Sequence, residues 1–406
     1  MTRVVFTDTI TDPLHAGVAG LSDIVWSLVG QMRTLGYEVH VAGLYRSNVT
    51  SPDPNVPVTC VVPLSRQNVV TRLLDVMRVA RRVRALRPDV VHASDCLGAA
   101  AICLLGLGQK TVYHAHQNIV LNARNAPSLP WDRAGYLTMR AGTAIACRSA
   151  SRVISLGPSL TDEWVKLGVS RDRILEVPNG LSTMLHPPRH PVPGRLLYVG
   201  RLSAEKAGVD NIIRALSALP EEVHLVVAGD GPLKESLVHL TSDLKMATRV
   251  RFEGYLPRSS IEHLYAEAEL VVLPSLGEMM PRVMLEAWAA GAPFAATPVG
   301  AVPDYLHDSY NGFIIPSVSP SDIVGTICRA HDNPELRARV ARTAREDLAS
   351  YSWPRIAETI ARLAYEPITT NGVSKHPETT DRGITRAGMV GGRTAHVSDE
   401  DVSGRT

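Results

Sequence analysis

Short apolar runs alternate with stretches of helical periodicity along most of the chain, the pattern of parallel sheets whose strands are joined by crossover helices. In the first half the strand-like runs are residues 3–7, 38–44, 59–64, 89–93, 111–114, 152–155 and 173–177. A second set follows at 195–199, 224–228, 250–253, 270–273, 293–296 and 312–315. Between the sets lies the proline-rich stretch 185–194, which carries neither period and reads as a linker. The division predicts two doubly wound α/β domains: residues 1–184, then 195–350. Residues 319–350 read as helix, and an amphipathic helix over 353–365, within a 351–366 crossover, is expected to fold back onto the first domain. Beyond residue 366 large apolar side chains become scarce, too few to offset ordering entropy, so 367–406 is expected to be disordered.

A length of 406 residues fits two ordinary domains and a tail. The net charge of +2 and an aromatic share of 5% give no footprint for nucleic acid. Five cysteines, at 60, 96, 103, 147 and 328, form no CxxC pair, as expected of a reduced, cytoplasmic protein. The first residues lack the apolar run of a signal peptide, and 97–107 is too short to cross a bilayer.

The candidate chemistry gathers where strands run into loops, the usual place for ligands in open parallel sheets. Around Pro281, Glu278 lies just before a helix start and Glu286 follows on that helix, about 80° further round at roughly 100° per residue, so both carboxylates can reach one cleft. Carboxylates accept hydrogen bonds from sugar or ribose hydroxyls, and a helix start attracts phosphate. Helix capping and simple solvation are the alternatives for these two acids. Strand 195–199 runs into Arg201 and Lys206, which could hold a diphosphate or be solvated surface cations. Gly229 and Gly231 flank a turn that lets backbone approach a ligand or lets the chain reverse. Gly20 opens a helix after the first strand, with Val25, Leu28, Met32 and Leu35 at helical spacing. His114 and His116 stand at the end of strand 111–114, with His92 at the preceding strand end. These histidines lack the spacing and nearby acids of a metal site, so no metal is expected. A helix over 71–87 sets six arginines against Leu73, Val76, Met77, Ala80, Val83 and Leu86. It reads as a solvated face over a core, with an anionic membrane surface as the other reading.

Taken together, these segments resemble the retaining glycosyltransferases of family 4, which have the GT-B fold. The resemblance spans about residues 1–366 and rests on Val177-Pro178-Asn179-Gly180, the stretch from Gly200 to Lys206, Gly229-Asp230-Gly231-Pro232, the Glu278/Glu286 pair and the stretch from Gly300 to Asp304. It implies two Rossmann-like domains facing a central cleft, the donor against the second and the acceptor against the first. It also implies that Arg201 and Lys206 bind the donor diphosphate, Glu278 contacts the transferred sugar and Glu286 holds the ribose. Gly20, Gly229, Met279 and Met280 complete the implied donor site. His116 matches the histidine near the reacting carbon, with His114 as the alternative. Ala19, Ala207, the run Met279-Met280-Pro281-Arg282, Asp304 and Ser182 depart from the family pattern, mostly around the expected donor.

The expected activity is metal-independent, retaining transfer of a hexosyl group from a nucleoside diphosphate sugar, UDP-sugar favoured, to a hydroxyl of a glycan or small natural product. No further cofactor is expected, and closure about 185–194 would assemble the site. An epimerase or phosphorylase on the same scaffold, or a non-catalytic nucleotide-sugar-binding subunit, are the competing readings. Acceptor contacts are expected from residues 50–67 and 118–136, which match no motif.

Overall fold

The computed structural model describes residues 1–8, 19–45, 58–63, 69–116, 133–181, 188–203 and 208–370. Each apolar run forms a strand. Seven make the first sheet: β1 (Arg3–Asp8), β2 (Glu38–Tyr45), β3 (Val58–Pro63), β4 (Val90–Ala93), β5 (Thr111–His114), β6 (Arg152–Ser155) and β7 (Ile174–Glu176). Six make the second: β8 (Arg195–Val199), β9 (His224–Ala228), β10 (Val250–Gly254), β11 (Leu270–Leu273), β12 (Phe294–Ala296) and β13 (Phe313–Ile314). The orders are β3-β2-β1-β4-β5-β6-β7 and β10-β9-β8-β11-β12-β13, with every pairing parallel. Strand order reverses between β1 and β4 and again between β8 and β11. Those switch points are where a parallel sheet leaves a crevice at its carboxyl edge.

Alternation along the strands of the first sheet feeds two cores. Val4, Phe6, Val90, Val112 and Ile154 face one side, packed against Ile24, Val25, Leu28 and Met32 of the helix Ala19–Thr34. Val5, Val91, Ala93, Tyr113 and Val153 face the other, packed against Val76, Val79, Ala80 and Val83 of the helix Val69–Ala85. Leu73, expected in that core, is 40% exposed, while Asp75 is buried and ion-paired with Arg78 at 2.7 Å. Leu35 also lies outside the core at 40% exposure, beyond the end of its helix.

The 319–350 stretch is two helices, Pro320–His331 and Pro334–Asp347, because Pro334 cannot continue the first. The next helix, Trp353–Ile360, crosses onto the first sheet, burying Trp353, Ile356 and Ile360 beside Phe6 and Leu28. Burial of large apolar side chains stabilises by roughly 1.5–3 kcal/mol each, which anchors this return firmly. The helical path continues through a π-helical turn, Ala361–Tyr365, and a last helix, Glu366–Thr370, so order extends past the predicted limit of residue 366. The rest of the expected tail lies outside the described residues.

The expected linker corrects itself in a similar way. Residues 188–194 are fastened to the second sheet's side: His190 N–H donates to the Ala266 carbonyl, Val192 N–H to that of Glu267, and the Arg189 guanidinium to the carbonyls of Tyr265 and Ala268. Residues 185–187 lie outside the described residues. Just before them, Leu181 N–H donates to the Tyr351 carbonyl at 2.8 Å, so the outgoing and returning crossings run side by side.

Candidate active site

The loop after β11 carries Glu278, which is buried with 7% exposure. Ser275 Oγ donates to Glu278 Oε1 at 2.9 Å, and Thr297 Oγ1 donates to the Ser275 carbonyl at 2.5 Å, so the carboxylate is held from β12's end as well as from its own loop. Gly300 packs its backbone against the same turn. A Cβ there would stand 1.8 Å from the Glu278 carbonyl oxygen, and Ala301 N–H donates to the Met279 carbonyl at 2.7 Å. Only a residue without a side chain lets these two loops meet.

Glu286 sits on the helix Arg282–Ala289. Pro281 precedes this helix instead of occupying its first turn, and Gly291 follows it with a φ of 68°. Tyr265 Oη donates to Glu286 Oε2 at 2.8 Å and Arg282 Nη2 donates to Oε1 at 3.1 Å. Burial, then the Glu286 charge, drives the Tyr265 pKa well above its ordinary value, so the phenol stays a donor. Arg282 Nη1 also reaches Asp23 Oδ2, 2.9 Å away on the helix Ala19–Thr34. Burial works against the Arg282 charge, but Glu286 and Asp23 outweigh it and raise its pKa. Each oxygen of Glu286 keeps lone pairs for further donors.

Arg201 follows β8 directly and its side chain is exposed. Its backbone is fixed: Ser203 N–H donates to the Arg201 carbonyl at 3.1 Å. Gly229 supports this loop from the end of β9, where a Cβ would lie 1.8 Å from the Gly200 oxygen. Leu202 N–H donates to the Asp230 carbonyl at 3.0 Å, which completes the brace. Lys206 lies outside the described residues.

Residues expected around the donor also make contacts that reach distant segments. Met280 is buried, with its Sδ accepting from Asn179 N–H at 3.0 Å and its carbonyl accepting from Asn179 Nδ2 at 3.1 Å. It therefore ties the Val177-Pro178-Asn179-Gly180 turn to the loop that carries Glu278. Met279 is half-buried between the second sheet's core and one core of the first. Asp304, grouped from sequence with the departures around the donor, turns to the first sheet's side instead. Its carboxylate accepts from Ser159 N–H at 2.9 Å and Ser159 Oγ at 2.6 Å, at the start of the helix Pro158–Lys166. Burial raises its pKa against the lowering effect of Ser159. Next to it, Tyr305 Oη donates to the Leu156 carbonyl at 2.7 Å.

The opposing edge is the end of β4 and β5. His92 and His114 are buried, with His92 Nε2 and His114 Nδ1 3.1 Å apart, and the rings of His114 and His116 are 3.9 Å apart at their centroids. Burial lowers the pKa of His92 and of His116 to about 3 and takes His114 well below the ordinary imidazole range. Among the described residues, His114 Nε2, His116 Nδ1, Ser94 Oγ and Thr7 Oγ1 are covered from solvent without a hydrogen-bond partner. Buried polar atoms of this kind usually have one, which makes the edge a place for a polar ligand. Gly20 is the second residue of the helix Ala19–Thr34. Sequence reasoning missed Thr7, Ser94, Ser275, Arg282 and Tyr265. Ser275 and Arg282 had local signals, the one three residues before Glu278 in the same loop and the other four residues before Glu286 on the same helix.

Known proteins divide along the same line as the two sheets. Residues 18–184 match the family described as Glycosyltransferase Family 4, and residues 190–347 match Glycosyl transferases group 1. A glycogen synthase of Mycobacterium tuberculosis is 30% identical over 295 residues, covering 69% of each chain. An alpha-D-kanosaminyltransferase of Streptomyces kanamyceticus is 33% identical over 175 residues, 42% of this chain and 45% of that one. Among solved structures, sucrose-phosphate synthase from Thermosynechococcus elongatus superposes with a TM-score of 0.78 at 18% identity, over 91% of this chain and all of that one, 100%. HepE of Anabaena, solved in complex with UDP-glucose, gives 0.72 at 19% identity, over 89% and 99%. Because one relative matches across both halves and the fold agrees throughout, the chain belongs to the family 4 glycosyltransferases, with the GT-B architecture.

Proposed function

We propose that the protein transfers a hexosyl group from a nucleoside diphosphate sugar, with a UDP-sugar favoured, to a hydroxyl of a glycan or small natural product, retaining the anomeric configuration and using no metal. The observation that carries this reading is the pairing of a buried, Ser275-held Glu278 with a Tyr265-held Glu286 on either side of one helix start, with Arg201 exposed on the loop after the neighbouring strand β8. Two oriented carboxylates suit two sets of hydroxyls, one on the transferred sugar and one on the ribose. The cations suit the diphosphate between them. HepE, of the same fold, holds UDP-glucose, and a kanosaminyltransferase is among the relatives, which supports a nucleotide-sugar donor.

In this mechanism Glu286 receives the ribose diol and Glu278 the hydroxyls of the transferred sugar. As the glycosidic bond breaks, charge grows on the departing diphosphate, and Arg201 with Lys206 stabilises it. The leaving phosphate oxygen takes the acceptor's proton on the face that it vacates, which gives retention. Glu278 is a polar contact here and not a nucleophile, unlike the paired carboxyls of a retaining glycosidase.

Thermal shift with UDP, GDP, ADP and dTDP, each with and without EDTA, tests the donor half. Ligand at about 100 times its dissociation constant adds roughly 2.7 kcal/mol. Selective stabilisation by UDP that survives EDTA is the expected result. Stabilisation by none of the four would remove the donor site, and a requirement for metal would remove the metal-free mechanism. NMR of the product's anomeric centre then decides retention.

A further inference from the structure

We propose that Tyr365, on the return from the second sheet to the first, fixes the tautomer of His114 through His92, so that His114 meets the substrate as a hydrogen-bond donor. Tyr365 Oη lies 2.8 Å from His92 Nδ1, and His92 Nε2 lies 3.1 Å from His114 Nδ1. All three side chains are buried at 1% exposure or less. His92 is further held by stacking on Phe6, with ring centroids 4.8 Å apart.

The direction of the proton chain follows from what each atom can do. Among the described residues the Tyr365 hydroxyl has one hydrogen-bonding neighbour, His92 Nδ1. If the imidazole were the donor, the phenol hydrogen would be buried without an acceptor, at a cost of about 1–3 kcal/mol. The hydroxyl therefore donates to His92 Nδ1. A neutral imidazole carries one proton, so His92 bears it on Nε2 and donates to His114 Nδ1. By the same rule His114 bears its proton on Nε2. Among the described residues that nitrogen is buried without a partner, and its ring lies tilted against His116 at the carboxyl edge of the first sheet. Burial keeps the phenol protonated and both imidazoles neutral, in line with this chain of donors.

His114 consequently cannot take a proton from an acceptor hydroxyl at its free nitrogen. It offers a hydrogen to a substrate oxygen. Tyr365 and His92 are positioning residues, set in place by the return helix whose Trp353, Ile356 and Ile360 pack on the first sheet. The tautomer assignment stands on the geometry alone. Its role toward substrate rests on the glycosyl-transfer reading.

Nitrogen–proton correlation NMR of the histidine rings in the full chain tests the assignment without any substitution, and Tyr365→Phe tests its consequence. The wild type is expected to show His92 and His114 protonated on Nε2. In the variant His92 and His114 should populate both tautomers, with kcat falling up to about tenfold, the equivalent of one net hydrogen bond, and the donor KM unchanged. A proton on Nδ1 of His114 in the wild type, or tautomers indifferent to Tyr365→Phe, would overturn the proposal. A shifted tautomer with unaltered kcat would overturn its link to turnover. The expected spectra in a wild type that transfers from no donor would uphold the tautomer lock and sink the transferase reading instead.

Discussion

The two carboxyl edges of the molecule are built from opposite materials. The second sheet's edge is charged and mostly satisfied: Glu278 is held by Ser275, Glu286 by Tyr265 and Arg282, while Arg201 stands exposed on a braced loop. The first sheet's edge gathers uncharged imidazoles and is partly unsatisfied: nitrogens of His114 and His116 and hydroxyls of Ser94 and Thr7 are covered and, among the described residues, lack partners. A diphosphate leaving group develops charge and needs fixed charges and dipoles ready for it. An acceptor hydroxyl carries none and needs donors and acceptors in a dry setting. The difference between the edges is thus the difference between the two halves of the proposed reaction.

Arg201→Ala is the substitution that would break this comparison most sharply. Loss of one preorganised group that stabilises developing charge lowers kcat by about 10²–10³-fold, and the expected fall here lies in that range. His114→Ala should leave stabilisation by UDP where it was, since the proposed donor site belongs to the other edge. Steady-state kinetics and thermal shift on both variants check the pair. If Arg201→Ala transfers normally, or His114→Ala abolishes UDP binding, the division of labour between the edges is wrong.

That division was only half legible in the sequence, for reasons that particular residues make plain. All thirteen strands follow from apolar runs, because strands buried on both faces leave a continuous signal. Glu278, Arg201 and the two glycine-bearing turns stood out because each lies at a strand's end, and Glu286 because the helix period brings it round towards Glu278. What stayed hidden were the contacts between distant segments: Arg282 with Asp23, Asp304 with Ser159, Asn179 with Met280 and Tyr365 with His92. Asp304 and Met280 read from sequence only as neighbours of the expected donor, while their contacts, to the helix Pro158–Lys166 and to Asn179, come from far along the chain. Leu73 fits the helical period as a core residue, yet the core takes Val79 and the buried Asp75 instead, whose charge is met by the exposed Arg78. The 185–194 stretch reads as a loose hinge from its prolines, but Arg189 fastens part of it through two carbonyls that no local pattern announces.

Acid sharpens the comparison, because it strikes the neutral edge first. His92 and His114 are buried uncharged, their pKa pulled down by burial, to about 3 for His92. In the unfolded chain both return to about 6.5. Below that value the unfolded state binds protons that the folded state refuses, so the stability from keeping these rings neutral is complete above about pH 6.5. It is lost as pH falls toward the folded pKa, at about 1.4 kcal/mol per ring per pH unit. Urea midpoints measured from pH 7 to pH 5 should fall accordingly. A flat midpoint over that window would mean that the first edge hydrates and charges readily, contrary to its dry, neutral character.

The smallest expected effect concerns what holds the edges in register. Asp304 belongs to the second sheet's side but caps the start of a first-sheet helix, accepting from Ser159 N–H and Oγ, while Gly157 leaves it room: a Cβ there would stand 2.3 Å from the carboxylate. Loss of a carboxylate acceptor at a helix start costs about 0.5–2 kcal/mol. Asp304→Ala should fall in this range, read as a lower urea midpoint with an unaltered slope. Tyr305→Phe removes the adjacent bond to the Leu156 carbonyl. Because the two contacts share one short helix, Val302–Tyr305, the double variant should lose less than the sum of the single ones. Strict additivity would show instead that the two contacts act independently of one another, as do Asn179–Met280 and Arg282, whose bond to Asp23 ties the helix of Glu286 directly to the first sheet's opening helix, if their variants also add.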